Sequence, residues 1–439
     1  MSDKRTIKNA LISVFHKDGL KPIVTKLNEL NVNIYSTGGT QEFIEKQGIS
    51  VNRVEDLTTY PSILAGRVKT LHPNIFGGIL SRRNVNTDKE QLDKYNIPEF
   101  DLVIVDLYPF EKTVTSDASE QEIIEKIDIG GISLIRAAAK NFNDVLTVSE
   151  MTQYPETLKI LENNGASSSL AVRKKFAATA FNVSSHYDTA IYNYFKSEES
   201  TSLKQSIRKS NLLRYGENPH QKGAIYSSSK KLKIRKLNGK QLSYNNFNDI
   251  FSALLISKSL PTNTGTAIVK HANPCGVSIH KNKVESYRLA LKCDPISAFG
   301  GIVSCNFKVD KKTALELNKI FLEVVIGNGF ESNALNILKK KKNLRIIDAS
   351  NLEVKNIENI TSNFNSLLLQ SSDTKKFSAK DFKVVSKQKP NSKTLKNLIF
   401  AFNVCRFVKS NAIVLVKDNT TIGIGSGQPS RLDSCKIAI

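Results

Sequence analysis

Leu102-Val103-Ile104-Val105-Asp106-Leu107 is an apolar, β-branched-rich run interrupted only by a carboxylate near its end. A strand open to water on one face alternates polar and apolar residues, so this run reads as a strand buried on both faces of a parallel sheet. Outward from it, residues 10–14, 32–35 and 145–148 read as further strands, and residues 19–30 and 132–141 carry helical spacing. Strands alternating with helices predict an α/β domain with a mostly parallel sheet, which binds ligands beyond the carboxyl ends of its strands. A long helical stretch, Leu170–Phe195, is followed by residues 196–210, rich in Ser and charge and without apolar periodicity, which read as a linker. Strands expected beyond it are 266–270, 301–304, 412–417 and 421–425, the last two flanking Asp418-Asn419, a hairpin signal. The expected domains are 1–195 and 211–439, joined by 196–210; the second is mixed α/β or α+β.

At about 100–200 residues per domain, 439 residues predict two or three domains. With 40% hydrophobic and 24% charged residues the chain has enough apolar surface to form cores, which excludes dominant disorder. No run approaches the ~18 apolar residues of a membrane span, so no membrane partner is expected. The first residues, MSDKRTIKNALISVF, lack the small-residue cleavage site of a secretory signal. Five cysteines without a CxxC pair suggest neither a zinc site nor a disulfide framework, and free thiols suit a reducing cytoplasm. Charge is the unusual quantity: 63 Lys+Arg against 41 Asp+Glu gives +22. The basic residues are spread along the chain, and the one tight run, Lys339-Lys340-Lys341-Lys342, has no interleaved aromatics. The charge therefore reads first as a bland Lys-rich composition, next as a preference for anionic small-molecule substrates, and least as a sign of nucleic-acid binding.

Several segments of the first half carry chemistry. Ser36-Thr37-Gly38-Gly39-Thr40, between a strand and a helix, is either a tight turn or a cradle of backbone N–H groups for an anion. In Gly66-Arg67-Val68-Lys69-Thr70-Leu71-His72-Pro73, Arg67 and Lys69 share one side of an extended segment and with the Thr70 hydroxyl could hold a phosphate; the bland alternative is a solvated basic loop. Tyr108 follows the buried strand, where ligands sit, or is a core tyrosine with a satisfied hydroxyl. Asp128, before Gly130-Gly131, is placed to cap the next helix or to act as a catalytic carboxylate. Arg136 and Lys140 on that helix share a face.

In the second half, Leu213-Arg214-Tyr215-Gly216-Glu217-Asn218-Pro219-His220-Gln221 is too polar to read as a mere connector, and Gln241-Leu242-Ser243-Tyr244-Asn245-Asn246 is similar. Lys270-His271 stand at a strand end. An ammonium beside an imidazole favours the neutral ring that serves as a base, so the pair suggests coupled proton transfer; an isolated basic pair is the alternative. Asp294–Gly301, the Val408–Ile413 stretch and Gly423-Ile424-Gly425-Ser426-Gly427-Gln428 with Ser430-Arg431 are further loop junctions.

Taken in order, STGGT, GRVKTLHP, DLYPFEKT, IDIGG…RAAAKN, LRYGENPHQ, LSYNN, KHANPCG, DPISAFGGI, VKSNAI and GIGSGQPSR resemble the bifunctional purine-biosynthesis family AICAR transformylase/IMP cyclohydrolase over essentially the whole chain. The resemblance implies a methylglyoxal-synthase-like first domain that closes formyl-AICAR into IMP with loss of water. Ser13, Lys17, Thr37, Arg67, Thr70 and Gly130 would line its nucleotide site, and Lys69, Tyr108, Asp128 and Lys140 would form its chemical group. It implies a second, cytidine-deaminase-like α/β/α region, without the deaminase zinc and with no metal expected. This region would transfer a formyl group from the cosubstrate 10-formyltetrahydrofolate to AICAR. His271 would be its base and Lys270 its partner; Arg214, Tyr215 and Asn411 would hold AICAR, and Asn245 and Arg431 would lie near the folate. A cytoplasmic homodimer is implied.

The chain departs from that pattern in places. The family's first loop reads SVSDKTGL, whereas Ser13-Val14-Phe15-His16-Lys17-Asp18-Gly19-Leu20 stands here, so Phe15 replaces a hydroxyl. Asp106 replaces a usual Asn, and Asn365-Ser366 a common Gly-Gly pair. Segments like SDAFFPF, PGGS and RHF, which in the family follow the SRLDS…IA stretch, do not occur. The resulting expectation is an incomplete transformylase region with little formyl transfer, and an alternative in which only the cyclohydrolase works and the second region serves as a dimerisation scaffold.

Overall fold

A computed structural model describes residues 3–64, 67–227, 233–354 and 358–439. Gly66 of the GRVKTLHP segment lies outside these residues. The chain divides into two compact units, Met1–Arg208 and Lys209–Ile439.

In the first unit Leu102–Val105 is fully buried, as its run of apolar residues requires. It stands in a parallel five-stranded sheet, ordered Asn52–Arg53, Asn33–Ser36, Asn9–Ser13, Leu102–Val105, Leu146–Val148. Successive side chains of a strand point to opposite faces, so the central strands feed two cores. Ala10, Ile12, Leu102 and Ile104 pack under Leu20, Ile23, Val24 and Leu27 of the helix Leu20–Glu29. Leu11, Val103 and Val105 pack against Ile75 and Ile79 of one helix and Leu134, Ile135 and Ala138 of Gly130–Lys140. The helix Leu170–Phe195 also contributes to both cores, through Phe176 on one side and Ala177 and Ala180 on the other. The polar segment after it runs back along this helix: Tyr192 Oη meets the Ser200 hydroxyl and the Ser202 carbonyl, His186 Nδ1 meets Ser206 Oγ at 2.9 Å, and Arg208 pairs with Glu150.

The second unit is built on a mixed eight-stranded sheet, ordered Arg235–Asn238, Arg345–Asp348, Val324–Gly327, Ile302–Cys305, Gly265–Lys270, Asn273–Ile279, Thr420–Gly425, Ile413–Lys417. Ile302–Cys305, Val324–Gly327 and Arg345–Asp348 run parallel to one another, and the remaining pairs are antiparallel. Alternation again divides the strands: Ile268, Val303, Val325 and Ile346 face Tyr287, Ala314 and Leu338, while Ala267, Val269, Ile302 and Val324 face Ile250, Leu254, Phe400 and Val404. This is a three-layer α/β/α arrangement. Asp418 and Asn419, with φ of 52° and 56°, make the hairpin turn between the last two strands, a left-handed conformation these residue types tolerate.

The helix Lys283–Cys293 lies so close on the strand Asn273–Ile279 that a Cβ at Gly276 would stand 1.9 Å from the Ala290 carbonyl oxygen. Backbone packed against backbone has no rotamer with which to yield. Gly276→Ala should therefore lower the stability of the second unit by about 1–3 kcal/mol or more, read as a lower denaturant midpoint at unchanged m-value. An unchanged midpoint would show that this helix is free to lift.

Candidate active sites

The first site forms where the parallel strands end. A cavity of about 730 Å³ is lined by Ser13, Phe15 and Lys17 after one strand, Thr37, Gly39 and Thr40 after the next, and Asp106 and Tyr108 after the buried one. Arg67, Lys69 and Thr70 close it from the GRVKTLHP segment, and residues Ile124 to Gly131 from the start of the helix Gly130–Lys140. The two segments read as anion cradles come together here: a Cβ on Gly38, whose φ is +52°, would lie 2.9 Å from Lys69 Nζ. The Lys69 ammonium thus lies over the glycine turn at a helix start, where a backbone N–H array and a cation can share one anion. The Thr70 hydroxyl stands against Gly130, 3.4 Å from where a Cβ would be.

Asp128 braces the helix start and also faces the cavity. Its carboxylate accepts from Gly131 N at 2.6 Å and from the backbone N–H groups of Tyr108 and Ile132, and it lines the cavity while only 8% exposed. Burial raises its pKa above the ordinary carboxylate range, and those backbone N–H groups offset part of the rise. Tyr108 is raised as well, by burial and then by the Asp128 charge. Lys17 is lowered by burial, partly offset by Asp106. Groups moved this way by a cleft are the usual material of proton transfer. Arg67 pairs with Glu125 at the mouth of the cavity.

Lys140 is not brought to this group. It sits ten residues beyond Gly130 on one helix, about 15 Å along the axis at 1.5 Å per residue, and does not line the cavity. Arg136 is also directed elsewhere, its guanidinium 5.8 Å from the Phe181 ring. A shared helix face says nothing about which end of the helix meets the strand ends. Residue types alone also did not single out Lys126, whose ammonium lies 5.6 Å from the Phe15 ring and 5.9 Å from the Tyr108 ring inside the cavity lining.

The second cluster stands at the end of Gly265–Lys270. Lys270 Nζ donates to the Phe299 carbonyl at 2.9 Å. His271 and Ala272, at φ of 51° and 58°, form a left-handed turn that non-glycine residues adopt only when held. Asp249 holds it, accepting from His271 N at 3.3 Å and Ala272 N at 2.7 Å. Asp249 was not singled out by the sequence, although it follows the polar LSYNN segment within the first turns of the same helix. Asn273 Oδ1 accepts from Lys409 N at 3.5 Å, which joins the VKSNAI segment to the turn. The Asn411 side chain donates to the Gln428 and Pro429 carbonyls at 3.0 and 2.8 Å, so it braces the GSGQ loop. On the other side the Arg214 guanidinium lies 5.4 Å from the Tyr215 ring, and Asn245 Nδ2 donates to Glu217 O at 3.1 Å. Arg214 and Tyr215 act electrostatically on Arg345, which meets Glu323 at 3.4 Å. Glu323 in turn acts on Asp249. Arg431 opens the helix Arg431–Ala438, capped by Ser430. Among the described residues no group of three or more His, Cys, Asp or Glu could hold a metal, and no helix is long and apolar enough to cross a membrane.

The comparisons with known proteins agree on one family. The family model described as AICARFT/IMPCHase bienzyme matches residues 138–439, and that of the MGS-like domain matches 19–133. The bifunctional purine biosynthesis protein PurH of Bacteroides thetaiotaomicron is 48% identical over 439 residues, covering 100% of this chain and 86% of its own length. Those of Rhodospirillum rubrum and Aquifex aeolicus are 42% and 41% identical, covering 98% of this chain and 84% and 86% of their own lengths. The chain belongs to the AICARFT/IMPCHase bienzyme family, the bifunctional enzymes of purine biosynthesis that carry a formyltransferase and a cyclohydrolase on one polypeptide.

Proposed function

We propose that the first unit closes formyl-AICAR to IMP and that the cluster around His271 formylates AICAR from 10-formyltetrahydrofolate. The observation that supports this reading most is the convergence of Lys17, Lys69, Tyr108, Asp128 and Gly130 on one cavity of about 730 Å³, within the size range of a nucleotide pocket.

In the cyclisation, the carboxamide nitrogen attacks the formyl carbon. A C–N bond forms and the formyl oxygen takes the negative charge; once protonated it leaves as water, its C–O bond breaking as the former formamide nitrogen gives up its proton and the ring C=N bond forms. The Lys69 ammonium and the N–H groups at the start of Gly130–Lys140 are suited to the developing oxyanion. Asp128 and Tyr108, both raised, are suited to taking the amide proton and delivering one to the leaving oxygen. Ser13, Lys17, Thr37, Arg67 and Thr70 would hold the nucleotide. Because the attack is intramolecular, holding the two arms in line lowers much of the barrier.

In the formyl transfer, His271 takes the proton of the weakly nucleophilic amine and Lys270 assists at the leaving nitrogen. Arg214, Tyr215 and Asn411 hold AICAR, and Asn245 and Arg431 lie on the folate side. A homodimer is part of this reading. The hairpin of Glu358–Asn363 and Ser366–Ser371 exposes Leu367, Leu368 and Leu369, and a lone two-stranded hairpin with an apolar edge needs a partner surface. The five free cysteines fit a cytoplasmic setting.

If the sites are separate, Lys69→Ala should lower cyclisation by roughly 10²-fold or more and leave AICAR binding unchanged. His271→Ala should lower folate-dependent formylation by about 10²-fold and leave cyclisation unchanged. One substitution that abolishes both activities would refute independent sites.

Asp128→Asn separates function from stability. Because burial raises Asp128, the folded state holds its proton more tightly than the unfolded chain does. That contribution is complete below the unfolded value and is lost as pH rises through the folded one. The substitution removes the charge, so the melting temperature of Asp128→Asn relative to the parent should be more favourable at pH 7 than at pH 4, while cyclisation falls about 10²-fold. A relative melting temperature that worsens towards pH 7 would mean that ionised Asp128 is not penalised.

A further inference from the structure

The loop that carries Lys17 into the cavity is pinned from two sides. Thr40 Oγ1 accepts from Val14 N at 3.1 Å and donates to Val14 O at 2.9 Å. Asp106 takes the rest: one carboxylate oxygen accepts from Phe15 N, and the other from His16 N at 3.1 Å and from His16 Nδ1 at 2.7 Å. The Lys17 ammonium then folds back on the carbonyls it finds there, Val14 O at 2.6 Å and Phe15 O at 3.0 Å. Asp106 is 8% exposed and stands at the end of the buried strand, so its position is set by the sheet, not by the loop.

We infer that Asp106 and His16 are a positioning pair, which fixes the Val14–Lys17 backbone and through it places the Lys17 ammonium at the anion-binding end of the cavity. A carboxylate can accept all three hydrogen bonds because both of its oxygens are acceptors. An amide at 106 offers one acceptor oxygen, and its NH2 would face a backbone N–H. The inference deepens the cyclohydrolase reading: the pair does not touch the reacting atoms, and it acts on how tightly the phosphate end is gripped. Loss of a grip that is equal in ground and transition state raises KM and leaves kcat nearly unchanged.

The chemistry also dictates a rescue. In Asp106→Asn the new amide lacks an acceptor for the His16 groups. In His16→Asp two carboxylates face each other. In the double variant the amide introduced at 106 can donate to the carboxylate introduced at 16 and still accept from Phe15 N, so that only the backbone N–H of residue 16 goes without its partner. Each single variant should raise KM for formyl-AICAR, and the dissociation constant of IMP, roughly tenfold or more, as expected for a lost charge-assisted bond. Turnover should stay within about twofold, and the double variant should recover most of the affinity, an interaction that only coupled residues show. Melting curves verify that each variant is folded; if a single variant does not fold, recovery of folding and affinity in the double variant supports the pairing, and failure to recover them refutes it. Single variants with parental KM and IMP affinity would overturn the inference, as would a double variant no better than the worse single one. A parent protein that binds IMP without cyclising formyl-AICAR would instead refute the proposed activity, and the IMP affinities would still decide the role of the pair.

Discussion

A strand buried on both faces cannot carry an unpaired charged side chain, because such a charge in that setting costs several kcal/mol. Val103 and Ile104 are fully enclosed, and Asp106 is the first polar residue beyond them. In the second unit Ala267, Ile268 and Val269 are equally enclosed, and Lys270 and His271 follow at once. Chemistry is thereby expelled to the strand ends, and the loops that leave those ends decide what meets there. In the first unit three neighbouring strands deliver Ser13 and Lys17, Thr37, and Asp106 and Tyr108 to one rim, and a helix start completes it with Asp128 and Gly130.

The electrostatics follow from that placement. The cavity gathers Lys17, Arg67, Lys69 and Lys126 against Asp106, Glu125 and Asp128. The carboxylates are not redundant. Glu125 meets Arg67 at the mouth, Asp106 is spent on the Phe15–His16 backbone, and Asp128 caps a helix while its buried carboxyl is raised. Lys69 sits over the glycine turn, and Lys17 is turned onto its own loop carbonyls. An anion can be held at one part of the pocket while proton transfer proceeds at another. In the second unit the same economy appears in Asp249, which holds two left-handed residues so that His271 and Lys270 diverge from one turn.

The periodic elements were legible because burial leaves its mark on residue type. The run 102–107, the helical spacing of 19–30 and the stretch Leu170–Phe195 correspond to elements of the structure within a residue or two at most ends. The convergence of Thr37, Arg67, Lys69, Tyr108 and Asp128 was also legible, since each stands within three residues of a glycine or a proline. Lys140 was misplaced because a face of a helix is visible in sequence and the end that meets the pocket is not. Lys126 and Asp249 were missed because a lone charge in a polar stretch resembles a solvated one until the fold shows what lies against it. The partner of Asp106 could not be read either, since His16 lies 90 positions away and only strand pairing brings the two together.

The most direct test of the first-unit assignment is a crystal structure of the protein with IMP bound. The account predicts one nucleotide in the cavity, its phosphate among Lys17, Thr37 and Arg67, and its base against Lys69, Tyr108, Asp128 and Gly130. IMP bound elsewhere with this cavity unfilled, or bound here with the base at the Lys17 end, would contradict it.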